Sequence, residues 1–227
     1  GGVSVPLGPA TALIVADLQN DFADPAGSLH VPGGEALPAT VNALVRAVRT
    51  ADGLVVYTQD WHPPHTPHFA VDGGIWPVHC VAGTPGAELH PGLIVAGPIV
   101  RKGTQGEDGY SGFTMRDPAS GATLPTRLDP LLRGRGIRRV LVCGLATDYC
   151  VDATAADALR LGYETTLLLG AIRAVDLQPG DGARAIERLA ASNFLRLWES
   201  GPVMSGPWDA GLERLREEAA AGRKDAR

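Results

Sequence analysis

Three things are scarce in this chain of 227 residues. It has three cysteines, Cys80, Cys143 and Cys150, too few and too odd a number for a disulfide framework, which fits a reducing compartment. No apolar run approaches the roughly 18 residues that a membrane-spanning helix requires, so no membrane partner is expected. Positive charge is short as well: 20 Lys and Arg face 25 Asp and Glu, and a net charge of -5 excludes the basic footprint of a nucleic-acid binder. The first ten residues lack the basic and apolar segments of a secretory leader, which leads to the expectation of a cytoplasmic protein.

What is present is the composition of an ordinary globular domain, 44% hydrophobic and 20% charged. Residues 12–16 (ALIVA) form a continuous apolar run, the mark of a strand buried on both faces. Residues 54–57, 93–100, 140–142, 165–169 and 194–198 read the same way. Helical periods lie between them. Leu37, Val41, Leu44, Val45 and Val48 draw one apolar stripe that Gly53 stops. Val151, Ala155, Ala158 and Leu159 draw another, ended by Gly162. Residues 128–132 seed a short helix, and Ile186, Leu189 and Ala190 mark a last one with Asp181 as its N-cap. Alternating strands and helices predict an α/β fold: a six-stranded, doubly wound parallel sheet in three layers, with helices on both faces. No linker divides the chain. Residues 1–10 read as an extension, 11–208 as one domain, and 209–227 as a charged helical tail; homo-oligomer formation stays open. Residues 59–91 and 103–124 are long connections, which in compact domains carry function.

Chemistry gathers where strands end. Asp17 follows the first run, Asp60 the second, Lys102 the third, and Cys150 the fourth. Open parallel sheets bind ligands at these carboxyl ends, so one rim collects all four residues. In residues 141–160 (LVCGLATDYCVDATAADALR), Gly144 allows a sharp turn, Thr147 is a candidate N-cap, and Cys150 falls in the first helical turn. A helix N-terminus favours a thiolate, and its N–H groups suit a developing oxyanion. Cys150 is therefore the candidate nucleophile, Asp17 its proton acceptor, and Lys102 the cation that tunes both. Cys143, inside a strand, reads as core, whereas Cys80 is open between packing and a role beside its His neighbour. A redox pair of Cys143 and Cys150 lacks the C-x-x-C spacing.

Four of the six histidines fall in residues 62–79. Asp60 and His62, two apart on extended backbone, project to the same side. His79 can close a site around one ion, with His65 or His68 as a fourth ligand. One carboxylate with several imidazoles suits a divalent metal, zinc first and iron or manganese as alternatives. Phe22, Trp76, Tyr110 and Phe113 are placed to wall a flat pocket, whereas Trp61, His30 and His90 read as structural.

These motifs, Asp17-Leu-Gln-Asn-Asp-Phe22, Gln59-Asp-Trp-His62, Trp76-Pro-Val-His-Cys80, Arg101-Lys-Gly103, Tyr110-Ser-Gly-Phe113 and Gly144-Leu-Ala-Thr-Asp-Tyr-Cys150, together resemble the nicotinamidases of the isochorismatase-like cysteine hydrolases. The resemblance covers roughly residues 11–200. It implies a catalytic Asp17, Lys102 and Cys150, and metal ligands Asp60, His62 and His79, with His68 favoured over His65 as the additional one. It also implies a cis peptide before Ala146, whose N–H with that of Cys150 forms the oxyanion hole. The implied reaction is metal-dependent hydrolysis of nicotinamide, and of pyrazinamide, by way of a thioester. Other readings are a related amidase for heteroaromatic or N-carbamoyl amides, an isochorismatase, or a non-catalytic metal-binding scaffold.

Overall fold

The structure, a computed structural model, describes residues 5, 7–192 and 195–198. Six parallel strands form the central sheet: β1 (Thr11–Ala16), β2 (Leu54–Asp60), β3 (Ile99–Lys102), β6 (Arg139–Leu145), β7 (Glu164–Arg173) and β8 (Leu195–Trp198). A short antiparallel pair, β4 (Thr114–Arg116) with β5 (Thr123–Pro125), lies apart from it. The helices are α1 (Asn20–Ala23), α2 (Leu37–Thr50), α3 (Leu128–Gly134), α4 (Asp152–Arg160) and α5 (Asp181–Ala190).

Strand order is β3-β2-β1-β6-β7-β8, so the chain builds outward from β1 and then returns to its other side at β6. β1 is buried along its whole length, and its residues alternate between two cores. Leu13 and Val15 join the core under α2, with Val41, Val45 and Val48. Ala12, Ile14 and Ala16 join the opposite core under α3, α4 and α5, with Leu132, Ala155 and Ile186. Period-two alternation with apolar residues at both phases yields the uninterrupted run seen in the sequence. At roughly 1.5–3 kcal/mol for each fully buried Val, Leu or Ile, these two layers carry the fold.

Several local expectations are corrected. The third strand is Ile99–Lys102, not residues 93–100; Gly97 and Pro98 precede it, and Ile94 and Val95 are exposed. A β-carbon at Gly97 would lie 1.8 Å from the Val55 carbonyl oxygen, so the apolar stretch crosses β2 closely before pairing. Asp181 is the first residue of α5, whose N-cap is Gly180; its carboxylate accepts from Gln178 N–H (2.9 Å) instead. Asp52, with φ 58°, takes the left-handed position after α2, and Gly53 follows it. The β4–β5 pair occupies part of the long connection at 103–124. Phe194, most of the extension and the tail at 209–227 lie outside the described residues.

Candidate active site

β1 and β6 diverge in their onward connections, and the crevice at their carboxyl ends is the switch point where open α/β sheets bind ligands. Asp17 leaves β1 with φ 43°, a left-handed conformation that Asp adopts more readily than most residues. Its N–H meets the Thr58 carbonyl and hydroxyl oxygens, each at 3.2 Å, and the Thr58 hydroxyl donates to Asp17 Oδ1 at 2.7 Å. Neighbouring strand ends bring Asp60 level with Lys102. Lys102 Nζ lies 2.5 Å from Asp60 Oδ1, 2.9 Å from Asp17 Oδ2 and 3.7 Å from Cys150 Sγ. All four side chains are buried.

Gly144 lies within β6 rather than in a turn. Its φ of 109° and the 2.1 Å separation from the Ala16 carbonyl oxygen that a β-carbon there would have leave room only for glycine. The peptide between Leu145 and Ala146 is cis. Ala146, not Thr147, is the N-cap. Its carbonyl accepts from both Tyr149 N–H (3.1 Å) and Val151 N–H (3.0 Å), so Thr147–Val151 is wound as a wide π-type turn that carries Cys150 to the crevice.

Burial, then the charge of Asp17, pushes the Cys150 thiol well above its ordinary pKa, with Lys102 acting in the opposite direction. Burial and the two carboxylates thus favour the thiol, and Lys102 opposes them. Burial also raises the Asp17 carboxyl, against the pull of Lys102 and with the push of Asp60. Asp17 Oδ2 faces Lys102 but receives no aligned hydrogen bond, and the thiol is within its reach. For Asp60, burial opposes ionisation, yet Lys102 and His62 outweigh it and hold the carboxyl well below the usual range. Burial likewise opposes the Lys102 charge, but Asp17 and Asp60 raise its pKa.

Beside this cluster, His62, His68 and His79 present ligand atoms within 4.8 Å of one another, all buried. Asp60 Oδ2 adjoins them, 3.5 Å from His62 Nε2 and 4.0 Å from His79 Nε2. Neither ring nitrogen of His62 has a hydrogen-bond partner, a costly state for a buried imidazole unless an ion takes the lone pair. His79 Nδ1 lies 2.7 Å from the Pro77 carbonyl oxygen, a contact that places the proton on Nδ1 and leaves Nε2 as an acceptor. Burial, with His62 nearby, lowers the His68 pKa to about 4, and burial lowers that of His79, so both are neutral, the form that binds metals. The donor set fits a divalent metal. His65 stays outside it, exposed and 3.2 Å from Asp72 Oδ1.

A cleft of about 410 Å3, counting its open mouth, runs between the imidazoles and Cys150. Phe22, Trp76 and Tyr110 line it, together with Leu29, Val31, Tyr149 and Val175. Trp76 Nε1 donates to the Tyr110 hydroxyl at 3.1 Å, and the Tyr149 ring stands edge-on to both, 5.0 and 5.2 Å away. Phe113 instead packs in the core, stacked on Tyr163. Trp61 is half-buried under the Arg101 guanidinium. Cys80 and Cys143 are buried, and burial raises both thiols.

Other residues that shape the site are not evident from sequence. The Gln19 amide clamps the Asp60 backbone, donating to its carbonyl (2.7 Å) and accepting from its N–H (2.9 Å). Its place in the Asp17 motif was the only signal. Thr58 orients Asp17, and Asp148 accepts from Val175 and Asp176 N–H (2.9 and 2.8 Å), holding the Val175 side of the cleft to the Cys150 turn. Among the described residues no helix is long and apolar enough to cross a membrane.

Comparison with known proteins identifies the family. Residues 11–197 match the Isochorismatase domain. The nicotinamidase of Escherichia coli is 36% identical over 203 residues, covering 81% of this chain and 92% of that protein. The pyrazinamidase of Pyrococcus horikoshii, solved in complex with zinc, is 40% identical with a TM-score of 0.74, covering 85% of this chain and 100% of that one. PnC1 from L. infantum, solved in complex with nicotinate, is 40% identical with a TM-score of 0.78, covering 87% and 96%. The chain belongs to the isochorismatase family, among its nicotinamidase-type amidohydrolases.

Proposed function

We propose that this chain hydrolyses nicotinamide to nicotinate and ammonia through a thioester on Cys150. The observation that carries the reading is the contact of Lys102 with both Asp17 and the Cys150 thiol, where Cys150 lines an aromatic-walled cleft that His68 and His79 also line. Asp17 takes the thiol proton as sulfur adds to the carboxamide carbon, so the unfavourable thiolate never accumulates. Lys102 stays charged beside both groups and offsets the negative charge that moves between them. The N–H groups of Ala146 and Cys150, both at the cleft, are assigned to the oxyanion. Asp17 then returns the proton to the departing ammonia and accepts one from the water that adds to the thioester; the C–S bond breaks, the acid leaves as its carboxylate, and Asp17 gives the proton back to the Cys150 sulfur.

His62, His68, His79 and Asp60 would hold a divalent ion, zinc by the softness of an imidazole-rich set, with iron or manganese next. Such an ion supplies a Lewis-acidic docking point for a ring nitrogen. Phe22, Trp76 and Tyr110 would sandwich and orient the flat ring. Pyrazinamide presents the same carboxamide on a ring of the same size, so the reading includes it.

The test is ammonia release over a panel of nicotinamide, pyrazinamide, benzamide and an N-carbamoyl amide, with metal content measured on the same sample. Preference for the two ring-nitrogen amides, lost on stripping the metal, is expected. Equal turnover of benzamide, or full activity in verified metal-free protein, contradicts the reading.

A further inference from the structure

His79 has a partner that fixes its proton on Nδ1, and His68 needs one too if it is to offer Nε2 to the same centre. The nearest anionic atom is Asp108 Oδ1, 3.4 Å from His68 Nδ1. Asp108 is not one of the converging donors. It sits in the connection at 103–113, and it is itself firmly held. Its Oδ2 lies 2.5 Å from an Arg116 guanidinium nitrogen, its Oδ1 accepts from Gly109 N–H at 2.5 Å, and its backbone pairs with that of Arg116 at 2.8 and 2.7 Å. Arg116 ends β4, so the small hairpin anchors the carboxylate. Two residues further on, Tyr110 lines the cleft.

We propose that Asp108 is the positioning residue for His68: it receives the Nδ1–H, directs Nε2 toward His62 and His79, and is braced in that place by Arg116. This rests on the metal-binding reading above. The chemistry is that of a carboxylate oriented behind a ligating imidazole, whose loss lowers metal affinity by about 10- to 100-fold. The β4–β5 hairpin thereby acquires a role, since the same connection supplies the carboxylate behind the ligand and one wall of the pocket.

The test compares wild type, Asp108→Leu, Asp108→Asn, His68→Ala and the Asp108→Leu/His68→Ala double variant, each stripped and titrated with Zn2+ against a chromophoric chelator. The Co2+-loaded forms provide visible absorption spectra that report the ligand field. Asp108→Leu is expected to bind zinc about 10- to 100-fold more weakly and to change the Co2+ spectrum. Asp108→Asn keeps an oxygen acceptor for Nδ1–H and the fold, and it is expected to recover most of the affinity. The double variant is expected to bind no worse than His68→Ala, because the carboxylate acts through that ring. Wild-type protein that takes up neither metal overturns the metal reading and this one with it. Wild-type uptake with unchanged affinity in Asp108→Leu and Asp108→Asn, or losses that simply add in the double variant, overturns the role of Asp108 alone.

Discussion

Replacing Lys102 by Met isolates what the buried cation does. In the native protein one ammonium faces two buried carboxylates, at 2.9 Å from Asp17 and 2.5 Å from Asp60. Removing one partner of a buried ion pair costs about 3–5 kcal/mol, because the remaining charge is left uncompensated. Here two charges are stranded, so the loss at neutral pH should reach at least that range. Its pH dependence follows from sign. With Lys102 present, Asp60 is depressed and contributes stability above its unfolded pKa, lost as pH falls through the lower folded value. Without Lys102, burial and mutual repulsion raise both carboxyls above their unfolded values. Groups shifted that way destabilise the fold at neutral pH, and the penalty is relieved as pH falls through the raised pKa. The destabilisation caused by Lys102→Met should therefore shrink on acidification from neutrality toward the carboxylate range. Urea unfolding of both proteins in chelator, at neutral pH and in mild acid, measures it. A loss under about 1 kcal/mol, the size of a surface ion pair, or a loss that grows on acidification, would refute the reasoning.

Further outcomes are expected. The raised pKa of Asp17 places the acid limb of kcat/KM above the ordinary aspartate value of about 4, activity falling as pH drops through it; a limb at or below that value argues against Asp17 as the base. Tyr110→Phe removes the acceptor for Trp76 Nε1 and should raise KM about 2- to 10-fold with kcat nearly unchanged, read by steady-state kinetics. His65→Ala should leave metal stoichiometry and affinity unchanged, whereas His68→Ala weakens binding, as measured by metal analysis after dialysis; the reverse result would move the ligand to the surface histidine.

The sequence made the rim legible because burial on both faces writes strands as unbroken apolar runs, and the first charged residues after each run, Asp17, Asp60 and the Arg101–Lys102 pair, fall at the strand end. Asp17, Asp60 and Lys102 follow from that rule, and the Cys150 turn from the helix behind it. The limits have equally physical causes. Residues 93–97 are as apolar as a strand but spend that character on a crossing segment with exposed Ile94 and Val95. The β4 and β5 strands are three residues each, too short to show a period. Thr58, Gln19 and Asp108 act across 40 or 41 residues of chain, through contacts that only the folded sheet and its loops create. The charge state of Cys150 also needed the structure. A helix N-terminus argues for a thiolate, whereas burial beside Asp17 and Asp60 pushes toward the thiol. The family resemblance favours His68 over His65, and the structure separates the two by place: His68 is buried with His62 and His79, whereas His65 is exposed beside Asp72.

The central claim is that Cys150 carries the acyl group. The most direct measurement is acid-quenched intact and peptide mass spectrometry during turnover of nicotinamide by the metal-loaded protein. A nicotinoyl adduct on the peptide containing Cys150, labile to hydroxylamine and missing from Cys150→Ala along with ammonia release, is predicted. Ammonia release by Cys150→Ala at near wild-type rate, or an adduct that maps to Cys80 or Cys143, would contradict it.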